Sequence, residues 1–319
     1  MTAPTQSDTE APITAAPPPR AALPGWVDWA VFLACVAVWG SAFAGLKIAV
    51  DEVPPTWVAS LRMIVAAMFL AALLPILRER LPPFSDGRAW RAYAMIGVIG
   101  TALPFVLFAS AATAAPSAIV AICNGGSPFF TALLAHFLLA GERMTVRRAV
   151  SVGLGFAGLS ILAAPGLFDP AAKTAETLGV AAAIAGAACY AIANIQVKKA
   201  PVLPAATATT IYCLAGATAA LPLSLAVDPI PWDAGAASLT AVALLGILST
   251  ALGGVGYVFL VQRRGPVFTA FATYLMPVWA LGVGMLFLGE RPGWSAFAAL
   301  GLILSALVLF NWKRRGKTR

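Results

Sequence analysis

The chain has 319 residues, of which 60% are hydrophobic and only 11% are charged, and its net charge is +8. A soluble globular protein carries about 25% charged residues, so this composition indicates a protein whose surface mostly faces lipid. The basic residues lie in short clusters between apolar runs, which argues against a nucleic-acid-binding surface.

The two ends of the chain differ from the rest. Residues 1–26 are rich in Ala, Pro and Thr, and the three prolines at 17–19 disfavour a helix. This stretch lacks the short apolar core with a basic flank that would predict a secretory signal. We expect a disordered cytoplasmic tail at residues 1–26 and a basic cytoplasmic tail at residues 313–319.

Long apolar runs fill the remainder of the chain. A hydrocarbon core of about 30 Å requires about 20 apolar residues in a helix, and by this measure the sequence predicts ten transmembrane helices. The predicted spans are Val27–Ala49, Thr56–Leu77, Ala92–Ala112, Ser117–Leu139, Val146–Ala164, Leu178–Val197, Ala205–Val227, Ala236–Val261, Val267–Leu288 and Trp294–Trp312. Because the runs are continuously apolar rather than alternating, helices are predicted instead of a β-barrel.

The positions of Lys and Arg predict the orientation, because these residues accumulate in cytoplasmic loops. With the N-terminus in the cytoplasm, the inner loops and tails receive most of the 21 basic residues, whereas the outer loops hold only Lys173 and Arg291. Lys47 and Arg62 lie near the outer ends of spans one and two. This asymmetry predicts an even number of spans with both termini in the cytoplasm.

The two halves of the chain share features in the same order. Trp39–Gly40 in span one is followed by Lys47, and Tyr190–Ala191 in span six is followed at the same spacing by Lys198. Five spans per half would give the second half the opposite orientation in the membrane. Such inverted repeats are typical of secondary transporters.

A Gly-Glu-Arg sequence marks the same place in each half. Gly141–Arg143 follows span four and Gly289–Arg291 follows span nine, so the first is predicted inside and the second outside. Each carboxylate precedes the next helix, where it suits the positive end of the helix dipole. We therefore interpret Glu142 and Glu290 as structural residues.

Trp39–Ser41 in span one, the two Gly-Glu-Arg sequences and the two five-helix halves resemble the EamA-like branch of the drug/metabolite transporter superfamily. Within it, the chain is most similar to the YddG-type exporters of aromatic and other amino acids. The resemblance implies an all-α membrane protein with five-helix repeats at 27–165 and 176–312, and with spans 1, 3, 4, 6, 8 and 9 around a central cavity. The second repeat departs from the pattern with Tyr190–Ala191, so we expect the two cavity walls to differ chemically.

Polar and aromatic side chains near helix centres are the candidates for substrate binding. Pro128 and Pro277 are predicted helix kinks, each of which frees a backbone carbonyl that is tolerated beside a cavity or a bonding neighbour. The candidate substrate-binding residues are Trp39, Ser41, Asn124, Ser127, Tyr190, Asn194, Tyr274 and Trp279. Alternatively, the prolines only curve their helices and the polar groups bond between helices.

Two ionisable residues lie within predicted spans. His136 is a candidate for proton coupling, although a histidine hydrogen-bonded between helices is the favoured interpretation. Arg62 lies about two turns into span two, and we expect it to extend outwards or to pair with Asp51 or Glu52.

The sequence contains no hydrolase, nucleotide-binding or metal-binding motif, and no carboxylate lies near a helix centre. The four cysteines lie in apolar runs without paired or metal-like spacing. We therefore expect no enzymatic function, no cofactor and no metal. The missing carboxylate disfavours antiport of cationic drugs, and the scarcity of deep basic residues disfavours exchange of sugar phosphates.

These exclusions leave neutral or zwitterionic solutes with an apolar part. We predict a bacterial inner-membrane transporter or facilitator that exports amino acids, aromatic or apolar, and related metabolites by alternating access. Its expected partners are the small-molecule substrate and the lipid bilayer, and ten spans suffice for a monomer to enclose its own pathway. The alternatives are an exporter of other neutral metabolites or drugs, and a membrane binding or scaffold protein without transport.

Overall fold

The structure is a computed structural model that describes residues 25–138, 144–168 and 174–311, and all regular elements in these ranges are helices. The α-helices are α1 (Trp26–Ala49), α2 (Pro55–Leu77), α3 (Gly87–Gly97), α4 (Leu103–Ala114), α5 (Ser117–Asn124), α6 (Ser127–Leu138), α7 (Val146–Phe168), α8 (Thr174–Lys199), α9 (Ala205–Val227), α10 (Ala236–Leu244), α11 (Gly253–Phe287) and α12 (Trp294–Asn311). Two π-helical segments, Val98–Ala102 and Leu245–Leu252, join α3 to α4 and α10 to α11.

Seven helical stretches in these ranges are long and apolar enough to cross a membrane. They are Trp26–Ala49, Pro55–Leu77, Gly87–Ala114, Ser117–Leu138, Thr174–Val197, Ala205–Val227 and Ala236–Leu260. Shorter apolar helices cover Leu275–Phe287 and Trp294–Leu309. The prediction of an all-helical membrane protein is therefore confirmed for the described residues.

Proline determines where several helices begin. The first residues of α2, α5 and α9 directly follow Pro54, Pro116 and Pro204, each of which has an extended ψ near 150°. Proline has no N–H to leave unpaired, and its fixed φ suits the entry into a helix. The short Pro-containing loops of the sequence thus become sharp helix starts.

The two π-helical segments occur at similar places in the two halves. In the first, the Thr101 hydroxyl donates to the Ile96 carbonyl at 3.3 Å, five residues back. In the second, the Thr250 hydroxyl donates to the Leu245 carbonyl at 3.0 Å, also five residues back. A π-helical turn shifts the backbone hydrogen bonds by one residue and leaves carbonyls free for other donors.

The first and last parts of α11 run in opposite directions along α1. Along its first part, Gly253 lies against Trp39 and Arg264 pairs with the first turn of α1, so this part is antiparallel to α1. Along its last part the order is reversed, because Trp279 lies against Gly40 in the middle of α1. A straight helix cannot make both sets of contacts, so the chain turns back between Arg264 and Trp279.

The loop predicted between spans eight and nine does not appear as a separate non-helical segment. We expected one span to end at Val261 and the next to begin at Val267, but α11 extends from Gly253 to Phe287. The arginines at this point bind a carboxylate of α1 instead of lying in a free loop.

The helices pack in pairs that join the two halves of the chain. The α1 helix packs along α11, α2 along α9, α4 along α8 and α7 along α12. Between α2 and α9, the hydroxyls of Ser60 and Ser224 are hydrogen-bonded at 2.6 Å. The largest buried cluster includes Phe108, Phe129 and Ile303, so each half completes the core of the other.

Candidate functional site

The Trp-Gly-Ser sequence in the middle of α1 packs against α11. The indole N–H of Trp279 donates to the Ser41 hydroxyl at 2.9 Å. A Cβ at Gly40 would lie 2.6 Å from the Trp279 ring, so glycine is required for this close approach. The structure thus brings together two of the predicted site residues, Ser41 and Trp279.

Trp39 connects α1 to the second π-helical segment. Its indole N–H donates to the backbone carbonyl of Ser249 at 2.9 Å, and its ring lies 6.0 Å from the ring of Tyr257. A Cβ at Gly253 would lie 2.5 Å from the Trp39 Nε1. The position of the indole is therefore set by its hydrogen bond to the Ser249 carbonyl and by the absence of a side chain at Gly253.

Arg62 points into the bundle and is only 6% exposed. Its Nε donates to the Thr250 hydroxyl at 3.1 Å, and its Nη2 donates to the hydroxyls of Thr250 at 3.0 Å and Ser249 at 3.2 Å. The guanidinium carbon lies 3.7 Å from the ring centroid of Phe105. We call Arg62, Ser249, Thr250 and Phe105 the Arg62 cluster.

The expectation that Arg62 extends outwards or pairs with Asp51 or Glu52 is wrong. Asp51 is exposed, and Glu52 instead accepts a hydrogen bond from the Gly235 N–H at 2.6 Å. Arg62 turns inwards because the π-helical segment presents two hydroxyls on that side. Sequence reasoning missed both hydroxyls, and the one available signal was an arginine inside an apolar run.

Tyr190 lies beside the Arg62 cluster. It is half-buried in α8, and its ring lies 5.5 Å from the ring of Phe108. Phe108 also meets Phe43 edge-on, with the centroids 6.3 Å apart. Tyr190 packs in addition against the hydrophobic cluster that contains Phe105. The Phe105 ring of α4 thus covers the buried cation, and Tyr190 of α8 packs against the cluster to which Phe105 belongs.

The fourth predicted span is interrupted where the sequence reads Asn-Gly-Gly-Ser-Pro. The α5 helix ends at Asn124, and α6 begins after Gly125–Gly126, just before Pro128. A Cβ at Gly125 would lie 3.3 Å from the ring of Pro277, which itself lies inside α11 without interrupting it. The Asn124 Oδ1 is buried without a hydrogen-bond partner, so the break presents an unused acceptor.

Asn194 and Ser127 are linked through Thr131. The Asn194 Nδ2 donates to the Thr131 hydroxyl at 3.2 Å, and that hydroxyl donates to the Ser127 carbonyl at 2.9 Å. This bond between α8 and α6 is the kind that the alternative interpretation of the polar residues expects.

Two predicted residues have no described contact with the groups above. His136 is exposed near the end of α6, and its Nδ1 accepts a hydrogen bond from the Met144 N–H at 3.1 Å. Tyr274 belongs to α11, but its side chain lies outside the part of the chain that the structure describes.

The second Gly-Glu-Arg sequence joins the two halves at a helix terminus. Gly289 has φ 62°, a left-handed conformation that glycine adopts without strain. The Glu290 carboxylate then accepts hydrogen bonds from the N–H groups of Ser117 at 2.7 Å and Ala118 at 3.3 Å. Glu290 thus caps α5, whereas we expected it to serve the helix that follows it. The first copy, Gly141–Arg143, lies outside the described residues.

A groove of about 280 Å³ between α2 and α9 does not include any predicted site residue. Its lining is Ile64, Ala67, Met68, Ala71, Leu214, Ala217, Thr218 and Leu221. No group of His, Cys, Asp and Glu within the described residues is arranged to hold a metal ion.

Comparison with known proteins places these features in a family. The chain matches the EamA-like transporter family twice, over residues 26–164 and 177–312. It is 27% identical over 294 residues to a "Probable terminal-alkyne amino-acid exporter" of Streptantibioticus cattleyicolor, with 91% of this chain and 95% of the relative covered. It is 24% identical to the "Uncharacterized inner membrane transporter YedA" of Escherichia coli K12, with 85% and 86% covered.

A crystal structure with 20% sequence identity superposes on the chain with a TM-score of 0.61, covering 89% of this chain and 97% of the other. At this identity the likeness shows the fold alone. The two family matches together span most of the sequence, which confirms the resemblance to the EamA-like branch, while the closer likeness to YddG-type exporters stays a prediction. The chain belongs to the EamA-like transporter family and is a membrane transporter rather than an enzyme.

Proposed function

We propose that this protein exports amino acids, aromatic or apolar, and related small metabolites across a bacterial inner membrane. The observation that carries the proposal is the convergence of Trp39, Tyr190 and the Arg62 cluster, which brings apolar rings and hydrogen-bonding groups from several helices together inside the spans. A relative named as a probable amino-acid exporter supports the substrate class. Relatives named as inner-membrane transporters support the location.

The proposed architecture is ten transmembrane helices in two inverted five-helix repeats. The reversal within α11 supports it, because that segment then contributes two spans to the bundle. The matching π-helical segments also support it, since each carries a threonine bonded five residues back. Repeats of opposite orientation would place equivalent irregular turns on the two sides of one central site.

Carboxylates exchanged between the halves support the same symmetry. Glu79, which follows α2, accepts a hydrogen bond from the Thr207 N–H at the start of α9 at 2.9 Å. Asp228, which follows α9, accepts one from the Thr56 hydroxyl at the start of α2 at 2.6 Å. Each helix of this pair is thus bound at its start by a carboxylate that follows the other.

Alternating access follows from this arrangement if the repeats move relative to each other around the site. The Lys and Arg distribution supports cytoplasmic termini. In that orientation the Lys47 Nζ, which donates to the Ala112 carbonyl at 2.7 Å, ties α1 to α4 at the outer side. Asp28 and Arg264 tie α1 to α11 at the inner side. Transport would require these two ties to open in turn.

The substrate proposal can be tested with purified protein in liposomes. We expect uptake of labelled phenylalanine, and we expect Asn124→Leu and Tyr274→Ala to reduce it at least tenfold without loss of folding. Phe287→Ala, which removes an aromatic ring that is 79% exposed on the same helix as Tyr274, is the matched control. Absence of uptake for every amino acid tried would reject the substrate class.

Alternating access has a separate test. Cys35, Cys123, Cys189 and Cys213 are first replaced, because all four native cysteines are free thiols. A single cysteine at Asn194, which is exposed in α8, is then labelled by a membrane-impermeant reagent from either side. Labelling from both sides, in proportions that change when substrate is added, is the expected result. Labelling from one side only, with and without substrate, would contradict the mechanism.

A further inference from the structure

The donors of Arg62 are only partly used. A guanidinium has five N–H donors, and the bonds to Thr250 and Ser249 employ the one on Nε and the two on Nη2. The two donors on Nη1 have no acceptor among the described residues. Arg62 therefore presents an unoccupied pair of donors while it is more than nine-tenths buried.

Arg62 has no carboxylate partner within the described part of the chain, where the ion pairs of the structure belong to Asp28. Other carboxylates of that part are bound elsewhere. They are Glu52 with Gly235, Glu79 with Thr207, Asp228 with Thr56, and Glu290 with Ser117. The neutralising anion is thus not supplied by these residues.

An unpaired cation inside a membrane protein is unfavourable, because hydroxyls and an aromatic face replace its hydration only in part. Ionisable residues in this situation commonly mark a substrate pathway. Arginine is also the side chain best suited to bind a carboxylate, since its planar donors match the two carboxylate oxygens. These properties favour an external anion as the missing partner.

The surroundings limit what kind of anion fits. Trp39 is bound to the Ser249 carbonyl, and Tyr190 packs against the hydrophobic cluster around Phe105. A small inorganic anion would make no use of these aromatic rings. A solute with one carboxylate and an apolar body would satisfy both the cation and the rings.

We propose that Arg62 binds the carboxylate of the transported solute through its Nη1 donors, while the rings of Trp39, Tyr190 and Phe105 contact the solute's apolar body. This inference rests on the proposed transport function and narrows it to solutes that carry a carboxylate. Arg62 is then a specificity-determining residue, and the hydroxyls of Ser249 and Thr250 position its guanidinium.

The decisive experiment compares three competitors of labelled phenylalanine uptake in liposomes. Phenylalanine has both charged groups, 3-phenylpropionate keeps only the carboxylate, and phenylalaninamide lacks it. We expect the wild type to bind the first two at least tenfold more tightly than the amide. Charge-assisted hydrogen bonds of this kind correspond to about tenfold to hundredfold in affinity.

The variants separate binding from folding. Arg62→Gln is expected to lose affinity for the two acids about tenfold to hundredfold and to keep its affinity for the amide. Arg62→Lys should recover part of the loss, and Arg88→Gln, which alters an exposed arginine, is the matched control. If Arg62→Gln fails to fold, the wild-type competition and the Ser249→Ala variant still test the proposal. Ser249→Ala is expected to lose severalfold in affinity for the two acids and to keep its affinity for the amide.

Two outcomes overturn the inference and leave amino-acid transport intact. One is a wild type that accepts the amide as well as the acids. The other is a folded Arg62→Gln protein that loses acids and amide equally, as a purely structural arginine would. The shift in melting temperature with each competitor is measured in parallel. A shift with the acids but without any flux would retain the binding site and reject transport.

Discussion

Two arginines of this molecule are removed from water in different ways. Arg264 lies at the end of the bundle where α1 begins, and its Nε donates to a carboxylate oxygen of Asp28 at 2.7 Å. Arg263 reaches the other oxygen at 2.9 Å, and the Gly25 N–H donates to the same carboxylate at 2.8 Å. Arg62 lies inside the bundle and is held by hydroxyls and an aromatic ring.

The difference shows how paired and unpaired charges divide between structure and function. The Asp28 carboxylate is fully buried and joins α1 to the reversal in α11, so its charge is neutralised within the fold. Arg62 retains free donors beside aromatic rings, and no described carboxylate neutralises it. We therefore expect changes at Asp28 to act mainly on stability and changes at Arg62 to act mainly on substrate selection.

The largest loss of stability is expected for Asp28→Asn. It removes the negative charge in the first turn of α1 that holds two arginines of α11 together, and those arginines then repel each other. Thermal unfolding in detergent measures the effect, with Asp51→Asn, an exposed acid, as the control. The comparison between the two arginines fails if Asp28→Asn changes the preference for acids over the amide as much as Arg62→Gln does.

Gly40→Ala is expected to destabilise the protein by about 1–3 kcal/mol, as overpacking of a close contact between helices does. The added methyl group would lie 2.6 Å from the Trp279 ring and would displace it from the Ser41 hydroxyl. Gly282→Ala is the control, since a Cβ there has no neighbour within 4 Å. Equal unfolding free energies for the two variants would show that the contact between α1 and α11 is unimportant.

Glu290→Ala is expected to cost about 0.5–2 kcal/mol, the usual range for loss of a helix N-cap. The change leaves the first N–H groups of α5 without the carboxylate that they share. Arg291→Ala, at the exposed neighbouring residue, controls for changes in the loop itself. An unchanged free energy of unfolding for Glu290→Ala would mean that the cap does not contribute.

The smallest effect is expected for His136→Gln. The His136 Nδ1 accepts a hydrogen bond from a backbone N–H at the end of α6, and a glutamine oxygen can accept the same bond. We expect phenylalanine flux within about twofold of the wild type with and without a pH gradient, since about 0.4 kcal/mol corresponds to twofold. A gradient dependence that disappears in this variant would assign proton coupling to His136.

The sequence predicted the parts of the fold that depend on local composition. The apolar runs gave helices that begin and end close to the expected residues, as α9 shows with Ala205–Val227 in both. The Gly-Glu-Arg sequence predicted a helix boundary at Gly289, and its positive φ explains the glycine. Both follow from interactions within one or two turns of the chain.

The candidate site was predicted less completely. Trp39, Ser41 and Trp279 were identified from their position in the spans, and the structure supplies the partners that the sequence did not name. Arg62 was noticed but was expected to extend outwards or to pair with Asp51 or Glu52, the acids of the adjacent loop. The true partners, Ser249 and Thr250, lie nearly 190 residues away in the chain.

By itself, the sequence determined that this protein is a helical membrane protein of the EamA-like family, because burial in lipid requires apolar helices and the family's motifs are local. Only the tertiary structure decided which helix each carboxylate caps, where α11 turns back and where Arg62 points. Those outcomes depend on contacts between the two halves. A side chain deep in the bilayer binds whichever polar group the packing brings within about 3 Å, and sequence distance has no influence on that choice.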